Sequence, residues 1–144
     1  MGVLHRWAGW ALGLLAGVGP ALAQPGDTVR GRALFESRCV GCHSLDHDRA
    51  GPALGHVVGR LAGKHPGFVY SNALAAANHV WTPGALQAWL ANPDAVVPGQ
   101  AMGYQVPDAT DRQDVVAFLV SLAAGRGPGP AAPSNPNADS RAGR

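Results

Sequence analysis

Apolar residues recur at helical spacing along this chain, and nowhere do they alternate over the length of a strand. Val115, Phe118, Leu119 and Leu122 fall at spacings of three and four, one face of a helix. Thr110-Asp111-Arg112-Gln113 reads as the capping box that opens this helix, and Gly125 as its end. An earlier helix starts at Thr82-Pro83, with threonine as N-cap and proline at the first helical position. It carries Leu86, Trp89 and Leu90 inward and stops at Asn92, because Pro93 follows. Asp27 can cap a first helix that presents Val29, Leu34 and Phe35 on one side and runs into Cys39. A short helical turn fits Asn72 to Asn78, and Gly- and Pro-rich loops join the pieces. The pattern predicts a small all-α fold.

The two ends read differently. His5 and Arg6 precede an apolar stretch, Trp7 to Val18, and Pro20-Ala21-Leu22-Ala23 offers a small-residue cleavage site. Residues 1–23 are thus expected to be a signal peptide, with Gln24 first in the mature chain. The stretch is short for a membrane span; an uncleaved anchor is the competing reading, and no stable membrane insertion is expected after cleavage. From Gly125 to Arg144 the chain is dense in Gly and Pro and lacks large apolar residues, the composition of a disordered tail. One domain, residues 24–124, remains. Removal of the leader takes only Arg6 of the 11 basic side chains and none of the 9 acidic ones, and Lys64 is the one lysine. So even a balance gives no case for nucleic acid and little for steering toward a strongly charged partner. A monomer is expected.

Cys39-Val40-Gly41-Cys42-His43 carries the chemistry. Cys-x-x-Cys-His is the attachment sequence of a c-type haem: two thiols add to the two vinyl groups, and the histidine follows as an iron ligand. A thioredoxin-type dithiol would need a strand before it, and a helix is expected there instead. Zinc would need further soft ligands, and the chain has only these two cysteines. A disulfide between them would close too small a loop to stabilise much. An exported chain is also in the right compartment for covalent haem. A flat apolar haem would supply much of the core that so small a domain lacks. For the sixth iron position the mature chain offers one methionine, Met102, in the loop Val97 to Tyr104. Its place in a Pro-Gly loop favours a ligand over core filler. The competitors are His47, too near His43 to reach the opposite face, and His56, His65 and His79, all expected at the surface.

The chain resembles a class I cytochrome c of the mitochondrial and soluble bacterial type. The resemblance runs from Gly26 to Ala124 and rests on ordered short motifs. Beyond Cys39 to His43 these are Gly51-Pro52-x-Leu54, Val58-Gly59-Arg60, Gly67-Phe68-Val69-Tyr70-Ser71, Trp81, Leu90-x-Asn92-Pro93 and Pro98-Gly99-x-x-Met102. It implies that the Pro52 carbonyl accepts the Nδ1 proton of His43. It also implies that Arg60, Tyr70 and Trp81 hold a buried haem propionate, whose charge would otherwise be costly to desolvate. Gly31 and Phe35 match the place where the first helix crosses the last, near Val115 and Phe118.

Some positions depart from the family pattern. Trp89 stands where a tyrosine is usual, Leu74 where an asparagine is, and Gln100 where a threonine is. The groups lost at Trp89 and Leu74 predict a drier methionine side and a raised potential, offset in part by Gln100 and lowered again in a Trp89→Tyr, Leu74→Asn double variant. Asp94, Ala95 and Ala101 replace usual lysines, which predicts docking through an apolar, weakly charged patch around Ala95, Val96, Ala101 and Gly103. Asp46 and Asp48 are expected to be solvated. The implied function is a periplasmic one-electron carrier between partners such as a quinol-oxidising complex and a terminal oxidase or photosynthetic centre. The alternative is a peroxidase-like haem enzyme or gas sensor, which would need a labile sixth ligand.

Overall fold

The structure is a computed structural model, and it describes residues 25–125; the expected leader and all but the first residue of the tail lie outside that range. Helix α1, Thr28–Arg38, starts where Asp27 accepts hydrogen bonds from Val29 N (2.8 Å) and Arg30 N (3.0 Å). It buries Gly31 and Phe35. Val29 was expected to face inward but is 79% exposed. Two residues before Gly31, it points about 200° around the helix from the buried stripe.

Helix α2 is Asn72–Ala75, capped by Ser71 and shorter than the turn predicted to reach Asn78. Past it the chain extends and pairs with Gly59 to Ala62 through Ala62 N–His79 O, Trp81 N–Arg60 O and Gly59 N–Trp81 O bonds of 2.9, 2.9 and 3.0 Å. Among the described residues this pairing amounts to an isolated bridge, Leu61–Val80, and no strand forms. Helix α3, Pro83–Ala91, has the predicted Thr82 cap and buries Leu86 and Trp89. A further short helix, α4, Pro93–Val96, follows at once. Asn92 ends α3 and caps α4 by accepting from Ala95 N, so the proline that stops one helix opens the next.

Helix α5 is Ala109–Ala124. Its N-cap is Asp108, which accepts from Asp111 N at 2.8 Å, and not Thr110, which lies inside the first turn. Gly125 closes the helix as expected. Helices α1 and α5 cross where a Cβ on Gly31 would sit 1.9 Å from the Asp114 carbonyl oxygen, so only glycine lets them meet. Phe35 and Phe118 pack beside the crossing with centroids 5.6 Å apart. Two buried carboxylates on α5 tie it to α1. Arg30 reaches both Asp111 and Asp114, and Arg38 reaches Asp111 at 2.8 Å. Burial alone would raise the Asp111 pKa, but the bonds from Arg38 and Arg30 outweigh it and hold the carboxyl below its ordinary value. Among the described residues no helix is long and apolar enough to cross a membrane.

Candidate haem site

Helix α1 delivers the Cys-x-x-Cys-His segment. Its last turn continues through Cys39 N–Phe35 O (2.9 Å) and His43 N–Cys39 O (2.9 Å), which sets Cys39 and His43 one turn apart. Burial pushes the Cys39 thiol up to about 11, against a smaller opposing pull from Arg38. A redox dithiol needs a depressed thiol pKa, so this environment argues against that rival. His43 Nδ1 lies 2.8 Å from the Pro52 carbonyl oxygen. A carbonyl only accepts, so the Nδ1 carries the proton and Nε2 keeps its lone pair. Gly51 lies against the ring: a Cβ there would come within 2.2 Å of His43 Cε1. That contact explains the glycine of the Gly51-Pro52 motif.

Two of the residues expected at a propionate, Arg60 and Trp81, are brought together by the extended pairing described above. The Trp81 N–Arg60 O bond puts these two side by side, with Trp81 buried and Arg60 half-buried. Arg60 Nη2 donates to the Ala53 carbonyl at 3.1 Å and Nη1 to His65 Nδ1 at 2.9 Å. Burial pulls the Arg60 pKa down, while Tyr70 and Asp48 oppose the shift. Burial likewise raises the Tyr70 hydroxyl, offset in part by Arg60 and by a bond from the His65 backbone. Two participants were missed in the sequence. His65 is partly buried and bridges Arg60 to Asp48, whose Oδ1 lies 3.1 Å from His65 Nε2. Asp48 also accepts from Ala53 N at 2.8 Å, so it is a bonded part of the site and not a merely solvated side chain. No local pattern marks either residue, because the contacts join segments that only the fold aligns.

Met102 is partly buried against the core on a pinned loop. Gly99, at φ +83°, makes a turn that only glycine adopts readily, and its N–H is held by Asp94 at 3.1 Å. The Gln100 side-chain oxygen takes the Met102 N–H. The Trp89 indole N–H points at Met102 Sδ, 3.3 Å away. This corrects part of the expected dryness: Leu74 is apolar and packs on the core, but Trp89 replaces the missing hydroxyl with another donor. The histidines also differ from expectation. His56 and His47 are exposed, whereas His79 stacks edge-on against Trp81 at 4.6 Å, with its Nε2 buried and without a hydrogen-bond partner among the described residues.

The donor set fits a covalent haem. It comprises two thiols one turn apart, an imidazole whose Nε2 keeps its lone pair, a thioether, and a half-buried guanidinium that among the described residues donates to the Ala53 carbonyl and His65 Nδ1. Fold and site together define a small helical haem protein. A family model described as Cytochrome c matches residues 28–123. The chain is 42% identical over 103 residues to cytochrome c2 of Rhodopila globiformis, covering 69% of this chain and 97% of that protein. It is 42% identical over 100 residues to cytochrome c of Euglena viridis, covering 67% and 98%. Among solved structures, cytochrome cH from Methylobacterium extorquens superposes with a TM-score of 0.63 at 34% identity, covering 67% of this chain and 99% of that one. The chain belongs to the cytochrome c family. It is an electron-transfer protein that binds haem c, and Cys39 and Cys42 fit the attachment motif.

Proposed function

We propose that this protein is a periplasmic one-electron carrier whose iron is held by His43 and Met102. The observation that carries the reading is the 2.8 Å contact between His43 Nδ1 and the Pro52 carbonyl, directly behind the two cysteines. It fixes the ring's tautomer, leaves Nε2 as the only donor for iron, and strengthens that donor. The haem supplies a one-electron couple when bound. His43 and Met102 would hold its iron, and Arg60, Tyr70 and Trp81 would offset the charge of a propionate. No distal acid–base pair is required for outer-sphere transfer. Export rests on the leader-like residues 1–23 and on the compartment in which covalent haem is made. Ala95, Ala101 and Gly103 are exposed beside the methionine loop, and Asp94 is engaged in bracing that loop. A weakly charged docking face toward a quinol-oxidising complex and an oxidase or photosynthetic centre follows.

The test is the optical spectrum of the purified protein, ferric and dithionite-reduced, with and without carbon monoxide. A weak red charge-transfer band, sharp ferrous bands and no response to carbon monoxide are expected. Loss of the red band with low-spin bands retained would replace Met102 by a nitrogen ligand. High-spin bands that shift with carbon monoxide would overturn the carrier reading.

A further inference from the structure

The peptide group between Pro52 and Ala53 is engaged at both ends. Its carbonyl accepts from His43 Nδ1 at 2.8 Å, and its N–H donates to Asp48 Oδ1 at 2.8 Å. The C=O and N–H of one peptide are conjugated, so bonds at the two ends polarise each other. A carboxylate on the N–H drives electron density onto the carbonyl oxygen. That oxygen then pulls harder on the His43 Nδ1 proton, and the ring's Nε2 becomes a stronger donor.

The same Asp48 oxygen lies 3.1 Å from His65 Nε2. On the other side of that ring, Nδ1 is 2.9 Å from Arg60 Nη1. A guanidinium can only donate, so Nδ1 must accept, and the proton of the neutral ring is on Nε2, directed at Asp48. His65 can take a second proton only at Nδ1. That proton would break the bond from Arg60 and give Asp48 a full cationic partner. Among the described residues the charged and titratable groups facing His65 are Asp48, Arg60 and the Tyr70 hydroxyl, to which the propionate proposed at Arg60 would add in the loaded protein, while the neighbouring Lys64 turns away to the Ala75 carbonyl.

We propose that Asp48 is a positioning residue of the redox centre: its carboxylate sets the donor strength of His43 through the Pro52–Ala53 peptide, and protonation of His65 weakens that influence. The proposal rests on the axial role of His43 proposed above. A stronger His43 favours ferric iron. Reduction by an electron from the redox partner therefore favours uptake of a fraction of a proton from water at His65. The potential falls as pH rises, because loss of the proton from His65 leaves Asp48 with its full effect.

The experiment measures the reduction potential of the haem-loaded protein from pH 5 to 9 in the natural chain and in Asp48→Asn, His65→Gln and Asp46→Asn variants. Asp48→Asn should raise the potential at high pH and flatten its pH dependence. The expected change is about threefold in the ferrous-to-ferric ratio, about 30 mV at 59 mV per tenfold. Glutamine at 65 can donate to Asp48 and accept from Arg60, so it should hold the natural high-pH potential at every pH. Asp46 is exposed and outside this chain of bonds, so its variant removes equal charge without touching the peptide. The His43 Nδ1–H resonance of the ferrous protein should also move in Asp48→Asn and stay put in Asp46→Asn. Equal potential shifts in the two aspartate variants, or an undiminished pH slope in His65→Gln, would overturn the proposal. Should Asp48→Asn fail to fold, the slope in His65→Gln still decides. Spectra of each sample keep the two ideas apart: a natural protein without the red band defeats the ligand assignment, whereas normal spectra with unmoved potentials defeat the role of Asp48 alone.

Discussion

A hydrogen bond to an axial sulfur draws electron density from it and makes it a poorer donor to ferric iron. Trp89 makes such a bond to Met102, the proposed iron ligand, at 3.3 Å. Trp89→Phe should therefore lower the reduction potential, by about threefold in the ferric-to-ferrous ratio or about 30 mV at 59 mV per tenfold. Voltammetry checks this; a rise would show that dryness, not the indole N–H, governs this side. Gly51 is the other residue on which much depends. A Cβ added there would lie 2.2 Å from His43 Cε1, so Gly51→Ala should displace the ring and weaken its proposed bond to iron, seen as high-spin ferric bands. At this scale the sequence was informative wherever chemistry is concentrated in one short run, as in Cys39 to His43 or Pro98 to Met102. It was uninformative about Asp48, which is 5 residues from Ala53 along the chain but needs His65 and Arg60 to give it a role.

Among the elements, helix existence was legible and helix faces less so. Thr82-Pro83 and Asp27 announce α3 and α1 because caps are local. The start of α5 was misplaced because Asp108 and Thr110 are both acceptable caps, and the choice falls to Asp108, which bonds Asp111 N. The burial of Asp111 and Asp114 ran against their residue type, and only the arginines of α1 make it tolerable. Two predictions concern this crossing. Gly31→Ala forces α1 and α5 apart and should cost about 3 kcal/mol, measured by denaturant unfolding. Asp111 has a lowered folded-state pKa, so its stabilisation is present above the ordinary carboxylate value and is lost as pH falls through the folded value. Asp111→Asn should accordingly be less stable than the natural protein at pH 7, with the gap closing below about pH 4. A gap that stays constant from pH 7 to pH 3 would assign the loss to packing alone.

For the whole molecule, the charge balance and the replacement of usual lysines by Asp94, Ala95 and Ala101 favour the proposed contact with partners through surface shape and apolar area over long-range attraction. The second-order rate constant for electron exchange with an isolated quinol-oxidising complex should change less than about twofold between 20 and 200 mM salt. A steep decline would require a charged docking face elsewhere on the surface.

Helices α1 and α5 are partners in space but stand at opposite ends of the described chain. Alone, the 11 residues of α1 are too few to hold a helix in water. A chain still being made therefore lacks the α5 contact that holds α1, and with it Cys39 and Cys42, until Ala109–Ala124 is complete. The topology would thus leave the two thiols accessible for haem attachment until α5, the last helix among the described residues, is made.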